Sequence, residues 1–453
     1  MTLNRSTACR LGARLTLLTA LLGATARLAL GQATTPPGQP LTLGDAARLA
    51  AQQSAGSELA SLRVAEAEAR VRERRAALFP QIGGALTDGQ RTFNTASFGF
   101  SLPGLNPNGE IIGPVRNVDV RARIAQTIYD PAARSRINAA RVGVQASNAE
   151  ALSQRELAAS NAASAYLRLL RADAQVVART ADSSLAAELV TIAQNQLQAG
   201  VGVGLDVTRA QAQVANTRAQ ILAVRNDRDR ARLELLRALD LPVDAPLTLA
   251  DSLGSLAVDS AALTEPAALE RAYRERPDVK AAEAQARAAR AQISAIRAER
   301  LPALGVVADE GLNGLSYTHL LNTYSYGLQI SVPIFEGFSR EGRVQEQQAV
   351  VSEADVRLRD LRLQAQVEIR AALLDIASAR EQTAAAQERL RLAEQELSQA
   401  RDRFQAGVAG SADVISASLL LNQSRNLIID AQTGYQVARL NLARAEGSVT
   451  SLR

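Results

Sequence analysis

The sequence predicts an α+β membrane protein built by internal duplication, and three observations carry the prediction. Short motifs recur in the same order about 206 to 222 residues apart, two helical runs each approach 70 residues, and four short segments alternate apolar with polar side chains.

The duplication is read from matched motifs. Arg74-Arg75-Ala76-Ala77-Leu78-Phe79-Pro80 returns as Ile296-Arg297-Ala298-Glu299-Arg300-Leu301-Pro302, and Ile128-Tyr129-Asp130 returns as Ile334-Phe335-Glu336. Gln198-Ala199-Gly200-Val201 with Asp206-Val207 returns as Gln405-Ala406-Gly407-Val408 with Asp413-Val414. Each half therefore reads as α-β-β-α-α, over residues 32–240 and 266–453. Residues 241–265, with Pro242 and Pro246 among scattered polar residues, suit a connector around the outside of a column.

The long helices are expected from about Pro131 to Ala199 and from about Gly337 to Ala406, each on the order of 100 Å at about 1.5 Å per residue. Ala165, Leu169, Ala172, Val176, Ala186, Val190, Ala193 and Leu197 form a seam in the first, interrupted by Arg179 and Ser183. Leu390, Ala393, Leu397, Ala400 and Phe404 form its counterpart. Such seams need partner helices. The helix from about Leu43 to Leu78, laid end to end with the return helix from Asp206 to about Leu239, matches one long helix in length.

Tyr324 to Ile334 is the cleanest strand signal. Tyr324, Tyr326, Leu328, Ile330, Val332 and Ile334 share one face, suited to lipid, while Ser325, Gly327, Gln329 and Ser331 share the other. Val118 to Ile128 repeats the pattern, with Gln126 as the lapse on its apolar side. Partner strands are expected at about Gln81 to Phe93 and about Ala303 to Leu312, the second ended by Asp309 and Glu310. Strands of about 10 residues can cross a bilayer when tilted. Four cannot close a barrel alone, and an open edge in lipid is costly, so the subunit must oligomerise.

Two glycine-marked tips interrupt the helices: Gly200, Val201, Gly202, Val203, Gly204 and Leu205, then Gly407, Val408, Ala409, Gly410, Ser411 and Ala412. Gly200-Val201-Gly202-Val203-Gly204 follows a helix, and its spacing departs from the dinucleotide fingerprint, so helix capping is the better reading. Asp206 is expected to cap the following helix.

Arg5, Arg10 and Arg14 precede an apolar stretch from Leu15 to Ala24, and small residues follow at Ala29 and Gly31, which reads as a cleaved secretory signal over residues 1–31. Removing it lowers the formal charge from +5 to about +1 and takes away Cys9, the only cysteine. The remaining charges are mixed along helical faces, which argues against a nucleic-acid partner. With one histidine, His319, and no mature cysteine, the chain lacks the parts for a His-based metal site or a thiol nucleophile, and no cofactor is expected.

The helix-ending prolines before the strands, Val332-Pro333-Ile334-Phe335-Glu336-Gly337 leading into the second long helix, and the paired Ala-Gly-Val tips followed by Asp-Val resemble the TolC-type outer membrane factor family over nearly the whole mature chain. The resemblance implies a homotrimer in an outer membrane. Each subunit would give four strands to a twelve-stranded barrel, and the helices would form an antiparallel coiled-coil barrel spanning the periplasm. It also implies a passive exit duct for efflux or type I secretion, docked through its tips to a periplasmic adaptor and an inner-membrane pump. Asp413 falls where the family narrows its periplasmic entrance, and Ser416 replaces the family's second acid there. Three carboxylates about 6 Å apart would repel by roughly 3 kcal/mol per pair at an effective dielectric of 20. The competing role for Asp413 is stabilisation of a helix N-terminus. A periplasmic coiled-coil adaptor is the alternative function; it predicts one hairpin, whereas this chain has two. No nucleophile and base pair can be assembled, so an enzyme is not expected.

Overall fold

The computed structural model describes residues 40–98, 109–254 and 264–452. The expected signal, Cys9 and the stretch 255–263 of the connector lie outside the described residues.

Helices α1 (Leu43–Gln53) and α2 (Ala55–Ala76) lead into strands β1 (Gln81–Asn94) and β2 (Ile111–Tyr129), then α3 (Pro131–Gln198) and α4 (Gly204–Ala238). The order repeats as α5 (Glu265–Glu275), α6 (Pro277–Ala298), β3 (Ala303–Ser316), β4 (His319–Ser331), α7 (Ser339–Gln405) and α8 (Ser411–Glu446). The halves match in length: α1 and α5 have 11 residues each, α2 and α6 have 22, and α3 and α7 have 68 and 67.

The opening helix of each half, expected to be continuous, is broken. Ser54 is extended (ψ 148°) and its hydroxyl accepts from Ser57 N, so a serine capable of capping restarts the helix. Arg276 is extended (ψ 116°) because Pro277 follows it and disfavours helical backbone before it. The long helices begin cleanly: Asp130 accepts from Ala133 N at 2.9 Å with Pro131 in the first turn, and Gly337 (φ 59°) and Phe338 (φ 62°) turn the chain into α7.

As the length match predicts, α2 and α4 both pack along α3. Near the middle of α3, Ala159, Ala162 and Ala163 let α1 approach through Ala46, Ala47 and Ala50, and Tyr166, Leu167 and Leu170 complete this core with Leu235, Leu239 and Ile429. The Tyr166 hydroxyl donates to Leu41 O and to Asp251 Oδ2, both at 2.8 Å, and Asp251 also accepts from Leu43 N at 2.9 Å. These bonds pin the connector against α1, where Leu41 and Leu249 form a parallel bridge. Burial pushes the Tyr166 phenol well above its ordinary pKa.

The predicted seams are largely buried. Ala165, Leu169, Ala172, Ala186 and Ala193 are buried in α3, and Ala393, Leu397 and Phe404 in α7. Leu197 departs from its seam and is 44% exposed, because the helix ends one residue later.

Candidate functional site: the sheet and the two tips

The strands form one antiparallel sheet in the order β1-β2-β3-β4, with β2 and β3 joining the halves. The registers Ile82↔Ile124, Ile124↔Ala308 and Ala308↔Tyr326 place these residues on one face, and Leu86↔Val120 and Val120↔Leu312 continue it. Tyr324, Tyr326, Leu328 and Ile330 lie there as expected, with Tyr326 81% exposed. From Leu320 to Ile330 is about 33 Å at about 3.3 Å per residue. A tilt of about 40° reduces that to about 25 Å, the height of a lipid-facing apolar band.

Two expectations about the strands change. Strand β4 ends at Ser331, so Val332 and Ile334 lie in the link before α7, where Pro333 supplies no N–H to a ladder. Asp309 and Glu310 do not end β3, which runs on to Ser316. Asp309 faces away from the apolar side and accepts from Arg121 and from the Ser325 hydroxyl. Arg121 also meets Asp119 at 3.3 Å and Thr323 Oγ1 at 3.0 Å. This cross-strand network makes the inner face hydrophilic. Gly311 sits opposite Arg121, and a Cβ there would come within 2.5 Å of Val120 O. The outer edges of β1 and β4 remain without a strand partner among the described residues.

At the far end the tips repeat one another. Gly200 N donates to Leu197 O at 3.1 Å and Val201 N to Gln196 O at 3.0 Å; Gly407 N donates to Phe404 O and Val408 N to Arg403 O, each at 3.0 Å. These are paired Schellman endings, with Gly200 (φ 73°) and Gly407 (φ 72°) in the left-handed region that glycine tolerates best. Val201, Val203, Leu205 and Val408 are exposed, as are Gly204, Ala412 and Asp413. Gly202, Ala409 and Gly410 complete the turns; Gly202 packs so that a Cβ would lie 2.9 Å from Gln196 Cβ, whereas Gly410 faces open space.

Asp206 is not the cap of α4. Val203 occupies that position without a side-chain bond, and Asp206 is the third helical residue. It instead accepts from the Ser411 hydroxyl at the start of α8 and lies 3.9 Å from Arg209. Gln196 Nε2 donates to Phe404 O at 2.6 Å, a second tie between the tips. Asp413, the counterpart of Asp206, is the third residue of α8.

A polar layer above the tips escaped the sequence reading, although Arg179 and Ser183 marked an interruption there. Asp182 is 1% exposed and accepts from Arg179 at 3.2 Å and Arg425 at 2.7 Å, with the Asn422 amide alongside. It separates the tip core of Leu189, Leu397, Phe404 and Val414 from the Tyr166 core. Among the described residues, no three His, Cys, Asp or Glu converge in a way that could hold a metal ion. No described helix is long and apolar enough to cross a membrane.

A sheet with one lipid-suited and one hydrophilic face, carried on helices of about 100 Å, defines an outer-membrane channel subunit. Residues 48–240 and 268–448 match the outer membrane efflux protein family, and the chain belongs to that family. It is similar to the protein CyaE of Bordetella pertussis, 28% identical over 342 residues, covering 73% of this chain and 71% of the relative. The alkaline protease secretion protein AprF of Pseudomonas aeruginosa is 26% identical over 291 residues, covering 60% of this chain and 58% of the relative. The fold is shared with the MtrE outer membrane channel of Neisseria gonorrhoeae, solved in its open state. The TM-score is 0.72 at 18% identity, with 90% of this chain and 89% of that chain covered.

Proposed function

We propose that three copies close one twelve-stranded barrel, β4 of each pairing with β1 of the next, and that their helices continue it as a passive duct across the periplasm. The observation that carries this reading is the four-stranded sheet itself: its apolar face needs lipid, its Arg121 network needs water, and both its edges need partners. Residues 32–240 and 266–453 act as the two repeats of each subunit, linked by residues 241–265 around the column. The duct has no catalytic chemistry of its own. It serves as the exit of a tripartite efflux or type I secretion system, with an adaptor docking at Gly200 to Leu205 and Gly407 to Ala412, an inner-membrane pump behind it, and Asp413 lining the entrance.

Cysteines placed at Gly83 of β1 and Gly327 of β4 test the closure. Both residues lie on the hydrophilic face, and their Cβ positions meet nothing within 4 Å. The native Cys9 lies in the expected signal. Oxidation of a mixture of the two single-cysteine chains should yield covalent dimers within the assembly. Failure at this pair and at neighbouring registers contradicts the closure.

A further inference from the structure

The junction between strands and helices carries positive charge that its acids do not neutralise, and we infer that it binds anionic phospholipid headgroups of the periplasmic leaflet through Arg134, Arg74 and Arg75. This rests on the outward face of the sheet lying in lipid, as proposed above.

The site is built at the foot of the apolar band. A register shift between Thr127 and Tyr129 leaves Ile128 as an extra residue and places Tyr129 opposite Leu304, which in turn faces Ile330. Tyr129, Leu304 and Ile330 therefore form the lowest outward row. The guanidinium of Arg134, in the first turn of α3, stands 5.4 Å from the centroid of the Tyr129 ring. Arg134 is exposed and has no carboxylate partner among the described residues, because the nearby Asp130 accepts from Ala133 N and meets Arg136 at 3.6 Å.

The end of α2 lies at the same level, since Gln126 Nε2 donates to Leu78 O at 2.9 Å. One turn below are Arg74 and Arg75, exposed and in no ion pair among the described residues, with Glu73 the acid next to them in sequence. The other junction acids already have arginines: Glu299 with Arg343 at 2.7 Å, Glu336 with Arg340 at 3.0 Å and Glu341 with Arg300 at 2.6 Å. On the following link Ile334 is 91% exposed, and Phe335 and Phe338 meet edge to face at 5.4 Å between exposed rings.

Aromatic and aliphatic groups at this height sit among headgroups and upper acyl chains. Arginine just outside them meets the phosphates, for which a planar guanidinium is a bidentate partner. A zwitterionic headgroup offers the same phosphate with a cation attached, so the preference is for lipids of net negative charge.

The test uses the full chain in phosphatidylcholine vesicles with spin-labelled phosphatidylglycerol or spin-labelled phosphatidylcholine. The native chain should immobilise the anionic label several-fold more strongly, and the preference should weaken as salt rises from about 0.05 to about 0.5 M. In the triple variant Arg74→Gln, Arg75→Gln, Arg134→Gln it should fall to about unity while channel conductance persists. Equal association of the two labels with the native chain, or a preference untouched by both salt and the triple variant, overturns the inference. A neighbouring copy could supply the acids instead; the labels would then associate equally and the variant would lose its trimer. A native chain that fails to insert contradicts the channel reading itself.

Discussion

The Ser411 hydroxyl donates to the Asp206 carboxylate, joining the start of α8 to the start of α4 across 205 residues of sequence. The Gln196 amide, donating to Phe404 O, ties the α3 end to the α7 end beside it. The two tips are thus fastened to each other within one subunit.

Ser411→Ala removes the hydroxyl and leaves Asp206 with Arg209 at 3.9 Å. A hydrogen bond to a charged group contributes about 1.5 kcal/mol, so the open population of an entrance held by this tie should rise about tenfold. Single-channel recording checks it. Identical resting conductance and open time would show that the tie has no part in closure.

Gly410 faces open space, whereas Gly202 packs against Gln196, so the two positions separate docking from folding. Gly410→Phe should leave the trimer intact and abolish adaptor crosslinking. A bulky residue at Gly202 should also distort the α3 ending. Gly407→Ala forces a side chain into the left-handed region and should cost about 1 kcal/mol. Normal crosslinking and export by Gly410→Phe would remove the second tip from the docking surface.

Asp413 is exposed in the first turn of α8, a position consistent with either a helix-end role or an entrance ring. Asp413→Ala should lower cation selectivity and weaken block by divalent ions added from the periplasmic side. Unchanged selectivity and block would leave only the helix-end effect of about 0.3 to 1 kcal/mol.

Most of the architecture was legible because it repeats. Gly200 and Gly407 signal their turns by residue type, and the alternation from Tyr324 to Ile330 names the apolar face of the sheet directly. Features that depend on partners distant in sequence were not legible. Asp309 reads as a strand terminator until the Arg121 side chain is seen reaching it from the neighbouring strand, and Asp206 reads as a cap until Ser411 arrives from the other half. The Asp182 layer is of the same kind: a carboxylate in a helical seam looks solvated until Arg425 approaches from 243 residues away. The break at Ser54 was available in principle, since a serine at a restart is a capping signal, but continuous helical periodicity masked it.

Glu446 gives a pH signature. Its side chain is 7% exposed, Arg271 stands 3.3 Å away, and Oε1 has no hydrogen-bond partner. Burial raises its pKa, and Glu275 adds to the effect while Arg271 opposes it. The folded state therefore holds this proton more tightly than the unfolded one. The associated stability is fully present below the ordinary value of 4.5 and is lost as pH rises through the raised folded value. Glu446→Gln should melt like the native protein near pH 4 and at higher temperature near pH 8. A variant less stable at pH 8 would show that the Arg271 pair outweighs the burial cost.

One subunit carries four strands of an unclosed sheet, and we propose that three copies complete the barrel in a membrane. Mass measurement of detergent-extracted protein, with bound detergent subtracted, tests it most directly. Three chains per particle are expected, with precipitation when detergent is withdrawn. A monomer that stays in solution without detergent after removal of the signal would contradict both the barrel and the duct.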